Sequence, residues 1–155
     1  MDILAHFIVG LYLSIKFENY WPLFFSCIFD LDHVIGYLYD KRKKLPIEIP
    51  SLLHLAYRPR SWFHSILGLL IVSIPFLFFL PVELIFIPLF AHLFLDILDK
   101  NGIYILPPLI KKKIKGSLPV GYLLEDPSYL KTHKRSHIPS LLVSIIFVLL
   151  IILKV

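Results

Sequence analysis

Ionisable side chains interrupt the long apolar stretches of this sequence, where a charge is costly to keep. They are imidazoles and carboxylates, which bind zinc, manganese and iron in proteins, and carboxylates also suit magnesium. His92 and Asp96 are four residues apart, so on a helix they share a face and can chelate one ion. The residues of this kind are His6, Asp30, Asp32, His33, His64, Glu83, His92 and Asp96.

The Asp30-Leu31-Asp32 motif forms a second pattern. Residues two apart do not share a helical face, so both carboxylates can bind metal only if the helix breaks there. Taken alone, this motif is also typical of an exposed helix end. Taken alone, the His92–Asp96 spacing is also typical of a buried hydrogen-bonded pair. Together they favour a divalent metal site, with two or three ions, zinc first and manganese or magnesium as alternatives. The predicted ligands are His6, Asp30, Asp32, His64, His92 and Asp96.

Apolar runs must position these groups. Hydrophobic residues make up 57% of the 155 residues and charged residues only 17%, whereas a soluble domain carries about a quarter charged residues. This composition excludes disorder and predicts an all-α integral membrane helical bundle of about five transmembrane or membrane-embedded helices, forming one domain over residues 1–155. The runs are approximately Ile3–Ile15, Tyr20–Tyr39, Trp62–Leu80, Val82–Leu98 and Ile138–Leu153.

The basic residues predict the orientation of such a bundle. Five crossings place all but two of the 16 Lys and Arg residues on one side, and the exceptions are Lys16 and Lys154. By the positive-inside rule, the N-terminus and the basic loops 41–61 and 99–137 would be cytoplasmic and the C-terminus outside. The polar groups other than Glu83 would then lie at one depth, in the inner half of the membrane.

At these polar positions the sequence resembles the YdjM-type membrane-bound metal-dependent hydrolases. The pattern of that family has an early His, Asp-x-Asp-His, His-Arg-x-x-Thr-His-Ser, and His-Leu-x-x-Asp followed by Gly and Pro. The resemblance implies His and Asp ligands drawn from several helices, as in the distantly similar zinc-dependent phospholipase C and single-strand nucleases. The matching segments, within about residues 1–110, are His6, Asp30-Leu31-Asp32-His33, Pro59-Arg60-Ser61-Trp62-Phe63-His64-Ser65 and His92-Leu93-Phe94-Leu95-Asp96, with Gly102 and Pro107.

The sequence departs from the family pattern at Phe29, Pro59 and Phe63, where the pattern has Pro, His and Thr. If the missing His is a ligand in the family, one metal position is lost here or uses a substitute. The candidate substitutes are His54, His133 and His137. His133 and His137 are four apart and would share a helical face, although a basic segment at the membrane surface is the alternative interpretation.

These features predict a metal-dependent hydrolase of phosphoesters on a lipid or another amphiphile. The ions would acidify a bound water and polarise the phosphoryl oxygen. Arg60 would clamp the phosphate, or serve only as a basic membrane flank. The predicted catalytic residues are Asp32, Arg60 and His64, and Asp99 and His33 are expected to orient the ligands.

Two other functions use the same polar residues. One is a small ion or proton transporter, and the other is a catalytically inactive membrane scaffold whose polar groups pair with one another. Membrane lipids are the expected partners, with a phosphorylated lipid or amphiphile as a candidate substrate; the sequence allows an oligomer but does not determine the oligomeric state. Nucleic acid is not expected, because few aromatic residues are interleaved with the basic ones. The scarcity of Met and Cys, one of each, is typical of a thermophile.

Overall fold

The computed structural model describes residues 3–31, 64–107, 109–121, 131 and 134–154, which form five α-helices and a β-hairpin. The helices are α1 (Ile3–Lys16), α2 (Trp21–Cys27), α3 (Ile66–Ser73), α4 (Val82–Leu98) and α5 (Ile138–Ile152), and the strands are β1 (Ile103–Leu106) and β2 (Ile110–Ile114). Short 3-10 turns follow α2 at Ile28–Asp30 and α3 at Ile74–Phe76. Five of the residues singled out as ligands, catalytic residues or substitutes lie outside the described ranges: Asp32, His33, His54, Arg60 and His133. Pro59 and Phe63 also lie outside them.

The prediction of an integral membrane helical bundle is wrong. Within the described ranges, no helix combines the length and the apolar character that crossing a bilayer requires. The longest, α4, has 17 residues. The apolar runs are divided among shorter elements: α2 ends at Cys27, and α3 gives way at Ser73 to a 3-10 turn that contains Pro75. Proline has no amide hydrogen to continue the helical ladder, so an apolar run need not form one helix.

The predicted localisation is corrected for the same reason. An integral membrane protein with a cytoplasmic N-terminus and an external C-terminus depended on five crossings, and the described helices do not provide them. The transporter alternative depended on the same crossings. The all-α class is also wrong, because the segment 99–137, predicted to be a loop, contains the antiparallel pair β1–β2.

The helices pack around two apolar clusters. The first joins α2, α3 and α4 through Phe25, Leu69 and Leu89, which are buried, and β1 contributes Ile103. The second joins α1 and α4 to the segment before α5, and its buried members are Ala5, Val9, Leu95 and Val120. Helix α4 therefore belongs to both clusters, and its position is fixed from two sides.

A close approach of α1 to α2 brings the N-terminal helix against the rest of the fold. A Cβ atom added at Gly10 would lie 2.7 Å from Cβ of Ser26 and 3.1 Å from Cα of Leu23. Only glycine fits this crossing without a shift of one helix. The hydroxyl of Ser14 accepts a hydrogen bond from the backbone N–H of Leu23 at 2.9 Å and fastens the same pair of helices.

The hairpin holds the start of α3 beside the end of α4. Ile103 pairs with Ile114 and Tyr104 with Lys113 across the hairpin, and Ser65 forms a parallel bridge with Tyr104. Ser65 also caps α3, since its hydroxyl accepts a hydrogen bond from the N–H of Gly68 at 3.0 Å. The residue just before this cap is His64, so the cap and the bridge together fix where that imidazole lies.

Candidate metal centre

Three separate segments bring imidazoles and a carboxylate into one buried place. His6 lies on α1, His64 precedes the N-cap residue of α3, and His92 and Asp96 lie on α4. Each of the four residues is at most 1% exposed. Buried ionisable groups are costly unless they are paired or coordinate a metal, so this cluster is the strongest candidate for a site among the described residues.

Asp96 is at the centre of the cluster. Its Oδ1 atom lies 3.2 Å from Nε2 of His6. Its Oδ2 atom lies 3.4 Å from Nε2 of His92 and 3.7 Å from Nε2 of His64. The two oxygens of one carboxylate therefore face different imidazoles, and the 3.4 Å pair shows the shared helical face expected of residues four apart.

The orientation of His92 is fixed by a backbone carbonyl. Its Nδ1 atom lies 2.6 Å from the carbonyl oxygen of Ser26 on α2. A carbonyl can only accept, so Nδ1 carries the proton and donates. In the neutral ring this leaves the lone pair on Nε2, which faces Asp96. Metal-binding histidines are typically held by such a second hydrogen bond.

Aromatic contacts enclose the imidazoles. The rings of His6 and His92 are stacked, with centroids 3.7 Å apart and planes 16° from parallel. The buried ring of Phe29 lies 5.2 Å from that of His92 and 5.7 Å from that of His64. An apolar wall of this kind limits the water around the donors and strengthens their electrostatic interactions.

The donors form two overlapping groups with the spacing of a metal site. His6, Asp30 and His92 make one group, and His64, His92 and Asp96 make the other; within each, one ligand atom per residue lies within 4.8 Å of the rest. Tetrahedral zinc with bonds near 2.1 Å places its ligand atoms about 3.4 Å apart. The distances of 3.4 and 3.7 Å around Oδ2 of Asp96 come close to that value.

Buried polar atoms without hydrogen-bond partners also indicate that the donor residues suit a divalent cation. Nδ1 of His6, Nε2 of His92 and Oδ2 of Asp30 are buried, and within the described part of the chain they have no hydrogen-bond partner. A lone pair left unsatisfied in the interior costs free energy, and a cation would satisfy such atoms. The chemistry of the set, nitrogen and carboxylate oxygen, suits zinc and related divalent ions. Buried His and Asp groups that can hold a metal ion are therefore present.

The protonation states of the two stacked histidines differ. Burial lowers the pKa of His6 to about 3, and the neighbouring His92 contributes to the same shift, so His6 is neutral. Burial also acts to lower the pKa of His92, but Asp30, Asp96 and the carbonyl of Ser26 outweigh it and raise the value above 6.5. Of the two stacked rings, His92 therefore takes up a second proton more readily than His6.

A thiol close to Asp30 does not belong to the donor set. Burial, followed by the charge of Asp30, raises the pKa of Cys27 to about 11. The thiol is therefore protonated at neutral pH when no ion is bound. Neither of the two donor groups among the described residues includes Cys27.

Five of the six residues predicted as ligands fall in these two groups: His6, Asp30, His64, His92 and Asp96. The sixth, Asp32, lies outside the described residues, as do the predicted catalytic Arg60 and the second-tier His33, His54 and His133. Helix α2 ends at Cys27 and a 3-10 turn carries Asp30, whereas the placement of Asp32 relative to Asp30 stays a prediction.

The remaining predicted residues lie elsewhere. Asp99, 1% exposed, accepts hydrogen bonds from the backbone and the side chain of Asn101. His137 stands at the start of α5, and Glu83 is exposed in the first turn of α4. None of the three belongs to either donor group among the described residues.

Sequence reasoning missed two positions that shape the centre. Ser26 acts through its carbonyl oxygen, which every residue has, so no sequence signal marks it. Gly10 was detectable only as a small residue within an apolar helix, and its partner across the crossing, Ser26, becomes apparent only in three dimensions.

No protein-family model, curated protein or solved structure matches this chain. The resemblance to YdjM-type hydrolases therefore stays a prediction.

Proposed function

We propose that the protein is a metal-dependent hydrolase that acts on a phosphoester. The observation that carries the proposal is the convergence of His6, His64 and His92 on the two oxygens of the buried Asp96. Donors of this type, joined by Asp30, are the set that hydrolytic divalent ions use in proteins. When bound, such an ion supplies an acidified water and a positive charge for the phosphoryl oxygen.

The residues of the chain have distinct tasks in this proposal. The carbonyl of Ser26 holds His92 in the tautomer whose Nε2 is a donor. Asp96, with one oxygen towards His6 and the other towards His64 and His92, would hold divalent ions together with these imidazoles. Phe29 keeps bulk water from the imidazoles. These contacts hold the donors in place before any ligand arrives, and such preorganisation is what catalysis requires.

The proposed substrate is a phosphoester attached to an apolar group. The helix that carries His92 and Asp96 also exposes large apolar side chains, including Phe90 at 55% and Phe94 at 60%. Exposed apolar surface of this kind is typical of sites that receive apolar ligands. A lipid or another amphiphile presents both a phosphoester and an apolar chain.

The experiment compares metal content and hydrolysis in matched variants. The purified full chain, supplied with zinc or manganese, is assayed by elemental analysis and with bis(p-nitrophenyl) phosphate and a short-chain phospholipid. We expect His92→Gln to lose bound metal and hydrolysis together, because it removes the oriented Nε2 donor. Glu83→Gln, an exposed change on the same helix, is expected to alter neither.

Two results would contradict the proposal. Wild-type protein that retains no divalent metal after gentle purification and zinc supplementation would exclude a metal centre. Metal bound in full by His92→Gln would show that the metal lies elsewhere.

A further inference from the structure

A second polar constellation lies beyond the metal centre, where α4 ends. Asp99 directly follows α4 and is three residues beyond Asp96. Its Oδ1 accepts a hydrogen bond from the N–H of Asn101 at 3.2 Å, and its Oδ2 accepts one from Nδ2 of Asn101 at 3.3 Å. The amide of Asn101 is thereby held with its oxygen pointing away from Asp99.

That oxygen receives a distant arginine. Nη2 of Arg135 donates to Oδ1 of Asn101 at 3.1 Å, across 34 residues of sequence. The backbone beside the arginine is also fixed: Ser136 donates its N–H to the carbonyl of Pro119 at 2.7 Å, and its own carbonyl accepts from Gly121 at 2.8 Å. The guanidinium is therefore held through Nη2 by Asn101, which lies in the segment just after α4.

The other nitrogen of this guanidinium lacks a partner. Nη1 of Arg135 is buried, and among the described residues it makes no hydrogen bond and no carboxylate forms an ion pair with it. Nδ1 of His137, two residues on, is also buried without a hydrogen-bond partner. The Arg135 side chain as a whole is only half-buried, so solvent reaches part of it.

We propose that Arg135, held by Asn101 and Asp99, is an oxyanion-binding residue that receives the phosphoryl group of the substrate. A charged donor without an acceptor favours a ligand that supplies one, and a guanidinium fork suits two oxygens of a phosphoryl group. The exposed lysines at 100 and 134, adjacent in sequence to Asn101 and Arg135, add a positive field that attracts anions. The choice of phosphate over carboxylate rests on the proposed hydrolase function, whereas the anion site itself does not.

The test uses inorganic phosphate as the probe and the full chain treated with a chelator, so that metal cannot bind the phosphate. Affinity is measured by calorimetry at constant ionic strength. We expect binding by the wild type and a loss of about tenfold in Arg135→Gln. Lys131→Gln removes the same charge from an exposed position and is expected to change the affinity by less than about twofold.

A second variant distinguishes recognition of phosphate by the planar guanidinium from a simple effect of positive charge. Arg135→Lys keeps the charge but cannot present two donors in one plane, so it is expected to bind phosphate more weakly than the wild type. Thermal melting of each variant verifies that it is folded. Acetate in place of phosphate tests the choice of ligand and is expected to bind more weakly.

Four results would overturn the inference: no phosphate binding by the chelated wild type, wild-type affinity in Arg135→Lys, equal losses in Arg135→Gln and Lys131→Gln, or equal affinity for acetate. Zinc binding, measured on separate chelator-free samples of the same variants, keeps the two proposals apart. Zinc bound without phosphate affinity rejects only the oxyanion site, whereas absence of zinc binding rejects the metal centre.

Discussion

Nε2 of His6 lies 3.2 Å from Oδ1 of Asp96, although 90 residues of sequence separate them. The second oxygen of the same carboxylate faces His92 and His64 at 3.4 and 3.7 Å. All three imidazoles therefore lie within 4 Å of one carboxylate, so Asp96 would help to hold any divalent ion that these histidines bind. Divalent ions, often in pairs, are common in enzymes that cleave phosphoesters.

The central position of Asp96 among the three imidazoles predicts different metal contents for two variants. The wild type is expected to bind about two divalent ions per chain. His6→Ala removes a donor of only one of the two groups and is expected to keep about one ion. Asp96→Asn alters the carboxylate that all three imidazoles face and is expected to lose both ions. Elemental analysis after dialysis against zinc measures the content, with Glu83→Gln as the control of equal charge change on α4.

An unchanged metal content in His6→Ala would place the N-terminal helix outside the centre. Equal losses in His6→Ala and Asp96→Asn would instead indicate a single ion shared by all the donors.

The donor residues were predictable because burying an ionisable side chain costs free energy. His6, His92 and Asp96 stand in apolar runs, and a buried charge there requires a compensating partner. The four-residue spacing of His92 and Asp96 also predicted from the sequence alone that they share one face of a helix. Their meeting with His64 depends on the cap at Ser65 and its bridge to Tyr104, long-range contacts that no local pattern encodes.

The membrane bundle was predicted from apolar composition, and composition does not locate helix ends. In the described part of the run that begins at Tyr20, the seven-residue α2 ends at Cys27 and a 3-10 turn follows, and the run that begins at Trp62 is divided at Ser73. Hydropathy averages over such breaks. The hairpin was missed for a related reason, since Lys111–Lys113 is typical of a solvated loop and became a strand only by pairing with β1.

The crossing at Gly10 predicts that a single methyl group there weakens both the fold and the metal centre. In Gly10→Ala the new Cβ would lie 2.7 Å from Cβ of Ser26, so α1 must move away from α2. Ser26 holds His92, and α1 carries His6, so the two imidazoles separate. Crowding costs about 1–3 kcal/mol, against a gain of about 1 kcal/mol in helix propensity. We expect a lower free energy of unfolding in urea and weaker zinc binding.

A compensating change tests the cause. Ser26→Gly removes the Cβ atom that the alanine would meet but keeps the carbonyl that holds His92. The double variant is expected to recover part of the zinc affinity, since Cα of Leu23 still lies 3.1 Å from the new methyl position. Wild-type zinc affinity and stability in Gly10→Ala would show that the crossing is not tight.

The opposite pKa shifts of the stacked histidines predict how metal binding depends on pH. Burial lowers the pKa of His6 to about 3, so His6 carries no proton that an ion must displace at neutral pH. For His92, burial is outweighed by Asp30, Asp96 and the Ser26 carbonyl, and the pKa rises above 6.5. With Nδ1 already donating to Ser26, the extra proton occupies Nε2, the atom that would bind metal.

Zinc must therefore displace about one proton from the chain at pH values below the raised pKa of His92. The apparent zinc affinity is expected to fall about tenfold for each pH unit below that pKa and to level off above it. Calorimetry in buffers of different ionisation enthalpy measures the proton released per ion. Asp30→Asn removes both a proposed donor and one cause of the raised pKa, so it is expected to weaken zinc binding at every pH and to shift the onset to lower pH. His92 can bind metal through Nε2 alone without losing its hydrogen bond to Ser26. Zinc affinity that does not change between pH 6 and 8, with no proton released, would therefore contradict His92 as a ligand.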